Sequence, residues 1–272
     1  MQVATLDHPI IVPPSPQPTE LASALADLGS VDLKTLDQAQ LHDRQESKVL
    51  LRADDIPAAL ARLASDYLVM EHEGERVQGY LNEYFDSSSL HNYHEHHNQK
   101  GRRVKVRYRT YVNSDLTFFE VKRNVNGRTV KDRRMSERPT GQLQTQDAPF
   151  LFKLTGNRPS TLQLSVEIGY QRILLVKRDF SERVTIDMNL SFRTERQTTE
   201  PTGLAVCEFK QPRLDLRSPA MEAMNRRPQN FSKYCMALAS CDPTLRRNRF
   251  KKVFRNLEKL GALPTPPQEL LV

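Results

Sequence analysis

Only three cysteines occur in 272 residues, Cys207, Cys235 and Cys241. Their odd number and the lack of zinc-knuckle spacing argue against a disulfide framework and for a reducing compartment. Long apolar runs are also missing. No stretch approaches the roughly 20 residues that span a bilayer, and residues 1–19 lack the basic start and apolar core of a signal peptide. The expectation is a cytoplasmic chain that meets a membrane only through a partner. Neither a Gly-x-x-x-x-Gly-Lys loop nor a Gly-x-Gly-x-x-Gly turn is present, which excludes P-loop and Rossmann nucleotide binding. No Ser or Cys has a recognisable nucleophile context, and no internal repeat is visible.

What is abundant is positive charge: 40 Lys and Arg against 33 Asp and Glu, a formal +7 and a pI near 9.4. That balance favours an anionic partner. Its sharpest local form is Arg103-Val104-Lys105-Val106-Arg107-Tyr108-Arg109. On a strand, this alternation puts every cation on one face and every apolar residue on the other. Same-face neighbours about 7 Å apart repel by roughly 2.4 kcal/mol at an effective dielectric near 20. A solvated edge strand that blocks aggregation is the plain explanation; an anion-binding face is the functional one.

The chain is long enough to bury a substantial core, and one domain with tails fits it best. Residues 1–42, which include Pro9, Pro13, Pro14, Pro16 and Pro18, are expected to form an extended N-terminal tail. A domain over 43–262 and a C-terminal tail over 263–272 follow. Within the domain, a short strand ends near Leu51, and Asp54-Asp55 precede a helix through Ile56, Leu60 and Leu63. Strands are expected at 77–85, 102–112, 116–124, 128–134, 162–177, 183–193 and 203–211. Asn126-Gly127 signals a tight hairpin, so the sheet is largely antiparallel. Helices are expected at 221–226, 231–239 and 244–260. Residues 183–193 again alternate between polar and apolar, while Phe118-Phe119-Glu120-Val121-Lys122 and Val206-Cys207-Glu208-Phe209-Lys210 each put a Glu and a Lys on one face. Either a sandwich with an exposed polar face or a closed barrel with its polar faces inward satisfies these patterns. Long apolar faces followed by late helices suit the barrel better.

Taken in order, several short motifs resemble the VTC (vacuolar transporter chaperone) domain of the triphosphate tunnel metalloenzyme, or CYTH-like, superfamily. They are Glu46 with Lys48, Tyr84-Phe85-Asp86, Arg107 and Arg109 before Tyr111, and Phe119-Glu120-Val121-Lys122. Lys131 with Arg133, Tyr170 with Arg172, Arg183-Val184-Thr185-Ile186-Asp187, Glu208-Phe209-Lys210 and Phe231-Ser232-Lys233-Tyr234-Cys235 continue the series. The resemblance implies an α+β fold built on a closed antiparallel eight-stranded β-barrel tunnel, with a charged lumen and flanking helices. It implies a polyphosphate polymerase that moves the terminal phosphoryl group of ATP onto a growing chain. Hydrolysis of triphosphate or polyphosphate in the same tunnel, and a non-catalytic polyphosphate-binding module, are the alternatives. Carried over by residue, the phosphate ligands are Lys48, Arg107, Arg109, Lys122, Lys131, Tyr170, Arg172, Arg183 and Lys233. Glu208 and Glu120 are the metal ligands for Mn²⁺ or Mg²⁺, with Asp187 a further candidate. The basic residue expected just before the arginine pair is Lys100, Arg102 or Arg103. ATP and polyphosphate, or another triphosphate, are the implied partners, together with a membrane protein that receives the product.

Phosphoryl transfer needs mainly positioning and the spreading of negative charge, which Arg forks and Lys point charges supply. Two other features carry less. The His91, His94, His96 and His97 cluster reads as a solvated loop or helix face, with no ligand assigned. The run Arg246-Arg247-Asn248-Arg249-Phe250-Lys251-Lys252 reads as a solvated helix face that could meet nucleic acid or acidic lipid. No nucleic-acid partner is expected, because stacking needs aromatics interleaved with the cations and Tyr108 lies on the opposite face from the arginines.

Overall fold

The computed structural model describes residues 19–38 and 44–263. Among these the chain forms eleven strands and eight α-helices. In order they are α1 (Thr19–Ala26), β1 (Gly29–Val31), α2 (Leu33–Gln38), β2 (Gln45–Arg52), α3 (Ile56–Ala61), β3 (Tyr67–Met70) and β4 (Gln78–Asp86). Then come α4 (His91–His97), β5 (Arg102–Tyr111), β6 (Leu116–Val125), β7 (Arg128–Ser136), α5 (Ala148–Thr155), β8 (Gln163–Lys177) and β9 (Arg183–Arg193). The last elements are β10 (Thr198–Thr199), β11 (Leu204–Gln211), α6 (Pro219–Met224), α7 (Lys233–Cys241) and α8 (Lys251–Lys259).

Eight strands form one antiparallel path in the order β2-β11-β9-β8-β4-β5-β6-β7. β3 adds to β8 and carries β1 on a parallel ladder, while β10 adds to β9. The Asn126-Gly127 turn between β6 and β7 has φ of 50° and 89°, both left-handed, as a tight hairpin of this type requires.

The path curls. Lys122 on β6 and Glu46 on β2 are near opposite ends of it, yet their side chains approach to 3.5 Å. It does not close, however, because no ladder joins β2 to β7 among the described residues. The closed barrel expected from the sequence is therefore an open half-barrel. The reason lies in β7, whose Lys131, Asp132, Arg133 and Arg134 leave no continuous apolar face to bury, so it remains an exposed outer strand. The free edge of β2 is met instead by an incoming loop, through Gln229 N donating to Lys48 O at 2.8 Å.

Alternation sorts the core. On the convex side Val49, Leu51, Ile173, Val184, Ile186, Cys207 and Phe209 pack under α1, α3 and α6. Val106, Tyr108, Phe119 and Val121 pack beneath Leu151 of α5. Each such fully buried large side chain contributes roughly 1.5–3 kcal/mol. The concave side is divided. One part is filled by α7 and α8 resting on Leu50, Tyr80, Tyr84, Val166, Ile168, Leu190 and Val206. α7 starts at Ser232, whose hydroxyl accepts from Cys235 N. Asp86 fixes the neighbouring α4 by accepting from Asn92 N at 2.9 Å and Tyr93 N at 3.0 Å, and it also accepts from the Tyr234 hydroxyl of α7. The other part of the concave side is charged.

The strands expected from the sequence are present with ends shifted by a residue or two. β1, β3, β10, α4 and α5 were not anticipated. The extended tail expected over 1–42 does not hold for 19–38, where Leu21, Leu25, Leu28 and Leu36 are buried in the core. Residues 1–18 and 39–42 of that segment lie outside the described residues, as does the C-terminal tail beyond residue 263. The last helix is shorter than 244–260, because Asp242 accepts from both Thr244 N and Thr244 Oγ1 and holds that part as a turn.

Candidate functional site

Register puts the charged residues together. Lys48 of β2 faces Glu208 of β11, which faces Thr185 of β9. Arg172 of β8 faces Asp187 of β9. Arg107 of β5 faces Glu120 of β6, which faces Arg133 of β7, and Lys105 faces Lys122, which faces Lys131. All of these side chains lie on the concave side, opposite the apolar set.

Three carboxylates organise the cluster, each between two cations. Glu208 holds Lys48 and Lys210, both at 3.1 Å. Glu120, 1% exposed, accepts from Arg107 Nε at 2.8 Å and Nη2 at 2.5 Å, while Lys131 Nζ lies 2.5 Å from its other oxygen. Asp187 accepts from Arg172 Nε at 2.5 Å and Nη2 at 2.9 Å and also holds Lys233. Burial alone would raise these three acids. The surrounding cations outweigh it: Lys210 and Lys48 for Glu208, Arg107 and Arg109 for Glu120, Arg172 and Lys233 for Asp187 hold all of them below the usual range.

Arg109 and Lys105 hydrogen-bond to neutral groups and make no carboxylate ion pair among the described residues. Arg109, 9% exposed, donates to Asn82 Oδ1 at 2.9 Å and to the Tyr170 hydroxyl at 3.2 Å. Lys105 donates to Ser232 Oγ at 3.0 Å, at the start of α7. Burial, with Lys122, Lys48 and Arg107 nearby, pushes the Lys105 amine down to about 8. Tyrosines line the remainder. Tyr80 stacks on Tyr170 with centroids 5.3 Å apart, and Arg109 and Arg172 lie over the Tyr80 ring at 5.4 and 4.9 Å. Lys233 lies 5.2 Å from the Tyr170 ring centre. These π faces accommodate packed cations without neutralising them.

Eight of the nine phosphate-ligand candidates, Lys48, Arg107, Arg109, Lys122, Lys131, Tyr170, Arg172 and Lys233, fall in this one cluster. Arg183 shares the face, but its guanidinium donates to the Leu36 carbonyl of α2. Lys105, in the alternating run, and Tyr84, in the Tyr84-Phe85-Asp86 motif, were quoted from the sequence without a ligand role, and Asn82 was not named. Tyr84 accepts from Arg107 Nη1 at 2.7 Å. Lys105 was legible, since it alternates with Arg107 and Arg109; Asn82 and Tyr84 depend on cross-strand register. Of the three residues considered for the cation before the arginine pair, Lys100 and Arg102 are exposed and Arg103 is half-buried. The histidines lie on α4 and diverge. His97 is buried with its ring centroid 5.3 Å from that of Phe250, and Arg249 N lies 3.5 Å from its Nε2.

For a divalent metal, Glu208 and Glu120 differ. No three His, Cys, Asp or Glu converge among the described residues. A hard cation would therefore take one carboxylate and complete its shell with substrate phosphates and water, as Mg²⁺ commonly does. Glu208 fits that role, being partly accessible, with its oxygens held only by lysines at 3.1 Å. Glu120 is enclosed, with both oxygens committed at shorter range to Arg107 and Lys131.

This half-barrel and its cation cluster coincide with a family match. The VTC domain model matches residues 43–241, and the chain belongs to that family. No curated protein matches it. Among solved structures, a candidate adenylate cyclase from Bacillus halodurans is 10% identical, with 83% of this chain and 95% of that chain covered and a TM-score of 0.40. A candidate adenylate cyclase from Vibrio parahaemolyticus is 11% identical, covering 73% and 99%, with a TM-score of 0.44. A candidate adenylyl cyclase from Hippeastrum with a dominant triphosphatase activity is 11% identical, covering 71% and 95%, with a TM-score of 0.39. No helix among the described residues is long and apolar enough to cross a membrane.

Proposed function

We propose that the protein is a polyphosphate polymerase, which moves the terminal phosphoryl group of ATP onto a polyphosphate chain held on the charged concave face. The observation that carries this reading is the buried Arg109, which makes no ion pair with a carboxylate among the described residues and donates instead to Asn82 and Tyr170, with Glu120 acting on it only at longer range. A linear run of phosphates supplies the missing anions. Arg107, Arg109 and Arg172 present forks to phosphate oxygens, while Lys48, Lys122, Lys131 and Lys233 act as point charges along the run. Arg183 joins them if the phosphate run extends toward α2.

In the transfer, the bond between the γ-phosphorus of ATP and its bridging oxygen breaks, ADP departs, and a terminal oxygen of the chain forms the new bond. The protein holds donor and acceptor in line and neutralises the equatorial oxygens. Mn²⁺ or Mg²⁺ at Glu208 would supply further charge neutralisation across the phosphates when bound.

Binding without turnover is the second reading. It is favoured by the enclosure of Glu120 and Asp187, 1% and 0% exposed and each held by a cation at 2.5 Å, which leaves neither open to a second metal. The test is incubation with ATP and Mn²⁺ followed by a gel that resolves polyphosphate lengths. A ladder lost in Glu208→Gln is the expected result. Free phosphate alone means hydrolysis, and no ATP consumption with any divalent metal means a binding module.

A further inference from the structure

The seven described cations from Arg246 to Lys259 are exposed, and none has a carboxylate within ion-pair distance among the described residues. Single exposed cations without an ion pair occur elsewhere among the described residues, Lys153, Arg158, Arg213 and Arg217 for example, but here seven fall within fourteen residues. On α8 the cations are also sorted. At 3.6 residues per turn, Lys251, Arg255, Lys259 and Lys252 fall within about 100° of arc, opposite the buried Val253 and Leu257. They repel one another along the i, i+4 rows.

This face adjoins the charged cluster. Asn256 Nδ2 donates to Gln229 Oε1 at 2.8 Å, and Gln229 N donates to Lys48 O at 2.8 Å on the free edge of β2. One residue thus separates α8 from a strand that carries a site lysine, at the side where the half-barrel is open. We propose that the basic face of α8 is a second binding site for the same linear phosphate polymer, holding the part of a long chain that extends past the concave cluster. This inference rests on that reading of the substrate.

A membrane surface fits less well, because α8 has spent its apolar side in the core and has nothing to insert. Nucleic acid fits less well too. Phe250 and Phe254 are partly buried, and Arg247 already covers the Phe254 ring at 5.2 Å.

The test uses the full chain carrying Arg107→Ala, so that the concave cluster contributes less. Lys251, Lys252, Arg255 and Lys259 are all changed to Gln, with a control of equal charge loss at Lys153, Arg158, Arg213 and Arg217. We expect the α8 variant to bind long-chain polyphosphate at least about tenfold more weakly, with a shallower salt dependence, and the control to match its parent. In the background with Arg107 intact, the α8 changes leave tripolyphosphate affinity unaltered. Long-chain affinity within about twofold of the parent, or an equal loss in the control, overturns the inference. So does loss of phosphatidylserine-vesicle or duplex-DNA binding while polyphosphate binding persists. If the α8 effect is found but intact protein fails to bind tripolyphosphate, the concave-face reading fails and the α8 site stands.

Discussion

Replacing Glu120 by Gln separates an electrostatic anchor from a metal ligand. The change keeps the shape and removes the charge that neutralises Arg107 and Lys131. Arg107 is mostly buried and loses a bidentate partner, the situation in which breaking a buried pair costs about 3–5 kcal/mol. Lys131 is more than a third exposed, so its share is at most about 1 kcal/mol. The amide still accepts a hydrogen bond, which favours the lower end, so a loss of about 3 kcal/mol is expected. At roughly 2–4 °C per kcal/mol, the melting temperature falls by about 6–12 °C. The pH dependence has a definite sign. Because the folded Glu120 is held below its ordinary range, its contribution is fully present above the unfolded value near 4.3 and is lost as pH falls toward the folded value. The gap between wild type and variant is therefore constant from about pH 5 to 7 and closes only in more acid solution. Tripolyphosphate then acts in the opposite direction: with Arg107 released, the anion stabilises the variant more than the wild type. At a hundred times its Kd that stabilisation is about 2.7 kcal/mol. Thermal melts with and without tripolyphosphate and without metal measure both effects. An unchanged melting temperature, or a smaller ligand shift in the variant, refutes the anchoring role.

Arg109→Met removes a buried cation that makes no carboxylate ion pair and meets Glu120 only at longer range, so ligand-free stability changes little while tripolyphosphate affinity drops about tenfold to a hundredfold, the loss of charge-assisted bonds worth ~1.5–3 kcal/mol. Calorimetry with a thermal melt checks this; unchanged affinity with a lower melting temperature contradicts it. Lys105 gives a pH effect. Its folded value near 8 lies below the unfolded one, so its cost to the fold disappears as pH rises from 8 toward about 10.4, while anion binding weakens over the same range. In Lys105→Arg the weakening is smaller, and an identical pH profile would eliminate Lys105 as a contact. Asp86→Ala strands Asn92 N, Tyr93 N and the Tyr234 hydroxyl, costing about 3 kcal/mol or more, read as a lower urea midpoint.

The positions of strands β4 to β9 were readable from strand-like runs between turns, with clean alternation in β5 and a turn signal in the β6–β7 hairpin. The charged face was readable for the same reason: a period of two fixes which side chains share a side. Which carboxylate meets which cation was not readable, since Glu208–Lys48 and Asp187–Arg172 depend on inter-strand register, and Lys233–Asp187 on a helix packed against the strand. The N-terminal helices escaped because the prolines at 9–18 signal an extended segment, while Leu21, Leu25 and Leu28 find their partners in sequence-distant elements such as α3 and α6. Closure escaped because the charged run Lys131 to Arg134 of β7 fits a lumen lining as well as it fits an exposed outer strand. Asp86, quoted as a family marker, serves packing in this structure, tying α4 and α7 to the end of β4.

The interior of a small half-barrel cannot be both filled and polar along its whole length, and α7 resolves the conflict. Its apolar residues occupy one part of the concave side, and its first turn brings Ser232 and Lys233 to the boundary of the other. Without ligand, the surplus of positive charge there is held by carboxylates that cross-link neighbouring strands. A bound phosphate chain competes with those carboxylates for the same guanidinium and ammonium groups. Binding therefore exchanges partners instead of adding charge to an empty face, and the affinity depends on how firmly Glu120, Asp187 and Glu208 hold. Arg109 and Lys105, which hydrogen-bond to neutral groups, are positions where phosphate is gained with the least exchange, so substitutions there should weaken binding strongly for little change in the ligand-free fold.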